Sequence, residues 1–338
     1  MRKILSSHTL IILFISFLAS CSNDTSKIGS TENEKTSDSK KNKTGGWHGK
    51  LVLEFTGDIK YYDLQSQQET IVQKEAGQPF VTKTGEVLTV SGKFPKANYL
   101  VQLSDPAFNN NKTALDLSDG WIGNKIYGIK MSPNGQYLAA GITSYSGYKI
   151  DKDAVVVFDQ SGNIIAQMPN RYQPDWTPDG RLVTSGSLKS ESVDEKVYTK
   201  QAGLFISNKD FSSDSRIDPG FDDPAPVNVA VSPDGKQVAF IKNQHVWVMG
   251  IDGSNPRQLT ASGGDNQESF PAWSPDGKFI ACWAYKTFEK SYYTAIAIVP
   301  ADANAPVELT NEAEVWPKNK EGYRISGGAH QFSWVNAD

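Results

Sequence analysis

The sequence predicts an all-β chain: a six-bladed β-propeller closed by its own last strand. Two features carry that expectation, a tight turn written four times and chain ends that read as two parts of one blade. The turn appears as Lys-Met-Ser-Pro-Asn-Gly from Lys130, Asp-Trp-Thr-Pro-Asp-Gly from Asp175, Ala-Val-Ser-Pro-Asp-Gly from Ala230 and Ala-Trp-Ser-Pro-Asp-Gly from Ala272. Recurrence at a spacing of a few tens of residues marks a repeat architecture. Pro presets one turn dihedral, Asp or Asn tolerates the left-handed region, and Gly supplies positive φ. A β run follows each turn, at Tyr137–Ile142, Arg181–Ser185, Gln237–Ile241 and Phe279–Trp283. Repeated hairpins of this kind are the pattern of propeller blades.

A full unit reads inner strand, turn, second strand, third strand, short turn, fourth strand. The clearest copy is Asn228–Val231, Gln237–Ile241, Val246–Ile251 and Arg257–Thr260. The next is Phe270–Trp273, Phe279–Trp283, Ala295–Pro300 and Val307–Thr310. Two more place third strands at Val155–Asp159 and Leu204–Ser207, and a degenerate copy keeps only Gly85 of the turn before Glu86–Val90, Tyr99–Leu103 and Thr113–Leu117. The sixth unit is split between the ends. Gln331–Trp334 aligns with the inner strand Phe270–Trp273, and Gly49-Lys50-Leu51 aligns with Gly277-Lys278-Phe279. The domain therefore opens on a second strand, with a third at Ile59–Leu64 and a fourth at Thr70–Gln73. Such an exchange leaves no unpaired β edge. The count is six blades; a miscounted degenerate unit would make it five or seven.

On these turn copies, the stretch from Trp47 to Asp338 resembles the TolB-like family of WD40-like β-propellers. The resemblance implies the fold and leaves function open, because one scaffold hosts many activities. The family's translocation protein carries an α/β domain ahead of its propeller. Residues 21–47 offer no counterpart, so a role in that system is not expected.

Residues 1–20 read as a lipoprotein signal peptide: Arg2-Lys3, an apolar run over Leu10–Leu18, then Ala19-Ser20-Cys21. The run is short for a membrane span. Leu18-Ala-Ser-Cys21 resembles a bacterial lipobox, in which the Cys21 thiol takes a diacylglycerol thioether; an ordinary signal with a chance Cys is the alternative. Residues 21–46 are almost all polar and cannot bury enough apolar surface to offset ordering entropy. They predict a lipidated, disordered tether spanning roughly 25–30 Å on average, with the propeller at 47–338. The membrane is thus an expected partner, through lipid at Cys21. Ser22 resembles outer-membrane sorting in a Gram-negative cell; in a Gram-positive cell the protein would sit on the outer face of the cell membrane.

Net charge is −4, which gives no electrostatic case for nucleic acid. Of two cysteines, one is committed to lipid, and Cys282 reads as buried filler within a strand, so the mature domain rests on packing rather than disulfides. The scattered histidines, His8, His48, His245 and His330, lack metal-ligand spacing, and no cofactor is expected. Asp214, Asp218, Asp222 and Asp223 do not match a calcium loop and read as an acidic, solvated stretch.

The Ser-Pro-Asp-Gly turns and the third-to-fourth turns share one face of the ring, here the turn face. Second-to-third loops and blade connectors share the other, the connector face. The insertions Ser144–Asp153, Ser187–Gln201, Ala284–Tyr293, Ser118–Ile126, Asp218–Pro226 and Asn311–Gly328 all fall on the connector face. Long loops on a rigid frame are where such scaffolds carry function. The candidate binding residues are therefore Trp121, Tyr145, Tyr148, Phe288, Tyr292, Trp316 and Tyr323, with His330 and Glu268 at the channel mouth. Exposed rings supply contact area at low entropic cost; the alternative is that they pack their loops against the rim. By alignment, the ring neighbours of His330 are Tyr127, Tyr172, Val227 and Ser269.

The leading expectation is a non-enzymatic, lipid-anchored envelope protein that binds a protein, peptide or glycan through this face. The alternative is an extracytoplasmic carbohydrate lyase or hydrolase using His330 with Glu268 or an Asp. No Gly-x-Ser-x-Gly elbow occurs, and one His falls short of a converging catalytic set. A structural envelope module is a third reading.

Overall fold

The computed structural model describes residues 46–74, 76–91, 100–117, 125–143, 153–193, 196–221, 226–263, 266–288, 291–328 and 330–337. All regular structure among them is β-strand. Blade 1 comprises β1 (Lys50–Phe55), β2 (Asp58–Asp63) and β3 (Glu69–Lys74), and blade 2 comprises β4 (Gly77–Val81), β5 (Val87–Ser91), β6 (Leu100–Ser104) and β7 (Asn111–Asp116). Blade 3 is β8 (Lys125–Met131), β9 (Tyr137–Thr143), β10 (Ala154–Asp159) and β11 (Ile164–Pro169). Blade 4 is β12 (Arg171–Trp176), β13 (Leu182–Val193), β14 (Lys196–Ser207) and β15 (Asp214–Arg216). Blade 5 is β16 (Val227–Val231), β17 (Gln237–Lys242), β18 (His245–Gly250) and β19 (Arg257–Gln258). β20 (Thr260–Ala261) then precedes the strands of blade 6, β21 (Gln267–Trp273), β22 (Phe279–Phe288) and β23 (Ser291–Pro300), which β24 (Val307–Glu308) follows. The last strand, β25 (Ser333–Val335), returns to blade 1.

Closure is as expected from the chain ends. β25 lies antiparallel to β1, with Leu51 opposite Trp334 and Val52 opposite Ser333. Leu51, Leu53, Trp283, Phe332 and Trp334 share one apolar cluster that welds blade 6 to blade 1. Each blade packs on the next in this way; Leu88, Val101, Ile126 and Phe158 do so between blades 2 and 3. The degenerate unit is a full four-stranded blade, so the count is six.

The repeated turns satisfy themselves. Ser232 Oγ donates to Asp234 Oδ1 (2.7 Å) and accepts from the Gln237 N–H (2.9 Å), while the Gly235 N–H returns to the Ser232 carbonyl (2.8 Å). Ser132, Thr177 and Ser274 anchor equivalent turns through Asn134, Asp179 and Asp276. The Lys236 N–H, then the Ser232 hydroxyl, hold the Asp234 carboxyl below its ordinary value. These acidic groups are turn formers.

Two expectations change. The insertions Ser187–Gln201 and Ala284–Tyr293 are not loops but continuations of the antiparallel ladders. β13 and β14 pair out to Val193 and Lys196, and β22 and β23 out to Phe288 and Ser291. Strand formers on both sides, such as Val193, Val197, Tyr198, Tyr292 and Thr294, favour continuing the ladder over opening it. The second change is in blade 6, where Val307–Thr310 is not a fourth strand on β23. β24 pairs in parallel with β20 instead. The edge of β23 is covered by the segment after it: the Ile298 N–H donates to the Val315 carbonyl (2.8 Å) and the Ile296 N–H to the Ile325 carbonyl (2.9 Å). This strap buries Val315, Trp316 and Ile325, apolar area that offsets the loss of a regular outer strand.

Replacing Trp334 with Ala removes a buried ring and its indole N–H bond to the His48 carbonyl (2.8 Å). Unfolding in urea should show a loss of about 3–5 kcal/mol; an unchanged midpoint would mean that β25 does not hold the ring shut.

Candidate functional site

The inner strands β4, β8, β12, β16 and β21 share one irregularity. In each, the register with the second strand slips at the same place. The residue at the slip adopts positive φ: Gln78 (53°), Gly128 (63°), Gln173 (48°), Asn228 (54°) and Phe270 (48°). Gln331 occupies the equivalent place before β25. A bulge takes backbone N–H groups out of the ladder, and a buried N–H needs an acceptor. Side-chain amides supply it from blade to blade. Gln78 Oε1 accepts the Gly128 N–H (2.9 Å), Gln173 Oε1 the Asn228 N–H (2.7 Å), and Asn228 Oδ1 the Phe270 N–H (3.2 Å). Gln331 reaches across the channel, its Nε2 donating to the Ile129 carbonyl (3.0 Å) and the Gln78 carbonyl (3.4 Å). These amides were not among the residues singled out from the sequence. Gln78-Pro79, Gln173-Pro174 and Phe270-Pro271, at one repeat position, were the available signal.

At the connector-face mouth, His330 is exposed and its Nε2 stands 4.0 Å from Glu54 Oε1. Glu54 also accepts the Gln78 N–H through Oε2 (3.1 Å). Glu268 does not join His330. Its fully buried carboxylate accepts from Thr260 Oγ1 (2.9 Å) and Ser262 Oγ (2.7 Å), and it lies 2.8 Å from His245 Nδ1. The group ties the connector between blades 5 and 6 to both. Cys282 is fully buried close by; burial, then the Glu268 charge, pushes its thiol well up, as suits filler rather than a nucleophile.

The aromatic set divides. Trp316 is 5% exposed, not a free ring. Its indole N–H donates to the Thr310 carbonyl (2.8 Å), and the Arg324 guanidinium lies 4.7 Å from its ring centre. Tyr323 is 71% exposed, at the tip of the same strap. That tip is not on the connector face expected for Asn311–Gly328: Tyr62, at the end of β2 nearest the turn face, donates its hydroxyl to the Lys318 carbonyl (2.6 Å). Phe288 and Tyr292 fall on the extended blade 6 hairpin, with side chains outside the described set. Trp121, Tyr145, Tyr148 and Cys21 lie outside the described residues.

Of the expected acidic stretch, Asp214 and Asp218 are paired rather than solvated, and Asp222 and Asp223 lie outside the described residues. Asp214 pairs with Arg171 (2.7 Å). Asp218, with its side chain fully buried, pairs with Arg216 (2.8 Å). Burial alone would raise the Asp218 carboxyl; Arg216 and the N–H groups of Leu204, Phe221 and Gly220 outweigh it and hold it below the ordinary value. Among the described residues no group of three or more His, Cys, Asp or Glu could hold a metal.

No family model and no curated protein matches the chain. Solved structures do. The crystal structure of TolB from Acinetobacter baumannii superposes with a TM-score of 0.56 at 15% identity, covering 85% of this chain and 66% of that one. A putative TolB from Agrobacterium tumefaciens gives 0.55 at 15% identity, covering 76% and 87%. The fold is TolB-like. At this identity the likeness shows shared architecture alone, and the chain spans just under two-thirds of the Acinetobacter protein's length.

Two predictions follow from burial in this TolB-like propeller. Trp316→Ala should cost about 3–5 kcal/mol in urea unfolding, as a buried aromatic does, whereas Tyr323→Ala should stay within about 0.5 kcal/mol. Asp218→Asn should cost about 3–5 kcal/mol at neutral pH, because it leaves Arg216 unpaired. The folded Asp218 carboxyl titrates below the unfolded one. Its stabilisation is therefore complete above the ordinary value of about 3.9 and fades as pH falls through the lower folded value. Unfolding curves at a series of pH values should show the variant converging on wild type in acid.

Proposed function

We propose that this protein is a lipid-anchored envelope protein whose propeller holds a protein, peptide or glycan on its connector face, without chemical conversion. The observation that carries the reading is the asymmetry of the faces. The repeated turns are short and internally hydrogen-bonded, whereas β13–β14 and β22–β23 extend hairpin arms beyond the blades on the opposite side. Blade 5, between them, closes the same face with only Asn243-Gln244 between its strands. One partner can span two arms that flank a low blade, and contact residues carried on a β ladder need little further ordering. The lipobox-like Leu18-Ala-Ser-Cys21 and the polar stretch after it support anchoring by a tether.

Replacing residues 189–200 by Asn-Gly shortens the blade 4 arm below its Ser187–Ala202 pair. This variant should lose capture of the partner by at least about tenfold, the scale of one lost hot spot, with an unchanged thermal melt. Equal capture would remove the arms from the site. Anchoring is tested separately: radiolabelled fatty acid should enter the full-length chain in cells and not Cys21→Ala. Label in both would exclude lipidation at Cys21.

A further inference from the structure

The amide belt leaves a fixed set of unused hydrogen-bonding groups inside the channel. Gln173 Oε1 and Asn228 Oδ1 are each occupied by a backbone N–H of the next blade, so their orientation is decided by the network. Gln173 Nε2 and Asn228 Nδ2 are therefore turned away from those bonds and donate none among the described residues. Gln331 is oriented the opposite way: its Nε2 is spent on two carbonyls and its Oε1 accepts nothing. Asn228 is 8% exposed and Gln331 7%. All three line one cavity of about 30 Å³, whose apolar wall includes Phe270, Pro271 and Phe332.

We propose that this cavity binds the acetamido group of an N-acetylated ligand. A carbonyl oxygen there would accept from Gln173 Nε2 and Asn228 Nδ2, the amide N–H would donate to Gln331 Oε1, and the methyl would meet the phenyl rings. Unused donors on two adjacent blades and an unused acceptor across the channel match the polarity of a secondary amide, which offers one acceptor and one donor. The volume, on the order of two waters, suits a small terminal group. Gln331 is held in place beside the cavity by its bonds to blades 2 and 3. The inference does not rest on the connector-face reading, since it involves neither arm.

Full-length protein would be titrated with N-acetylglucosamine and glucosamine, and with Nε-acetyl-lysine amide and lysine amide, following the carbon-bound protons of each ligand by saturation-transfer NMR. The first pair reports a sugar source of the group and the second a peptide source. Gln173→Glu and Asn228→Asp retain an oxygen that accepts the next blade's N–H and replace the free donor by a carboxylate oxygen, which repels a ligand carbonyl. We expect an acetylated member of at least one pair to bind, its deacetylated counterpart not to, and each variant to weaken binding by about tenfold, the value of one hydrogen bond, with unchanged melting. Binding that ignores the acetyl group, binding unchanged in both variants, or no binding by either acetylated probe would overturn the proposal and leave the cavity to water.

Discussion

The open edge of β1 is the constraint on which the molecule depends. Five blades are built from consecutive strands, but the first is missing its innermost member, and a ring of sheets cannot close over a row of unpaired peptide groups. β25 supplies the missing edge from the far end of the chain. The consequence spreads outwards: Trp334 and Phe332 arrive with β25, and the cluster that joins blade 6 to blade 1 forms around them. Closure also brings Gln331 to the channel, where it bonds to blades 2 and 3.

The channel is organised by a second, repeated constraint. Bulging each inner strand places a non-glycine residue at positive φ in four of the five described copies, at a cost of about 1–2 kcal/mol each. The exposed N–H groups then need acceptors, and carboxamides two atoms long or three provide them. Asn228 is the best suited to the left-handed region, whereas Phe270 has no amide and ends the relay. One requirement, satisfying bulged backbone, thus both links neighbouring blades and decides which amide atoms remain free.

The turns were legible because their signal is local: Pro, Asp and Gly act on their own dihedrals, and their spacing counts blades without knowledge of packing. The closing strand was legible for the same reason, by alignment of Gln331–Trp334 with another inner strand. The site was much less so. Trp316 looked like a loop ring, but the loop is a strap that turns it onto blade 6. Glu268 looked like a mouth carboxylate, but His245, Thr260 and Ser262 enclose it. Both misreadings concern burial, which depends on residues that are distant in sequence or on the path of an irregular segment. The hairpin arms were missed by length alone, since a ladder and a loop of equal length differ only in pairing.

By itself, then, the sequence determined the all-β propeller, its six repeats, the strand exchange at closure and the structural character of the Ser-Pro-Asp-Gly turns. All follow from dihedral preference and repeat spacing. Only the tertiary structure decided that blade 6 gives up its regular fourth strand to a strap, that Trp316 and Glu268 are buried, and that four amides from separate blades converge on one channel. Those outcomes depend on which backbone groups are left unpaired after the sheets form, and that is settled between blades rather than within any stretch of chain.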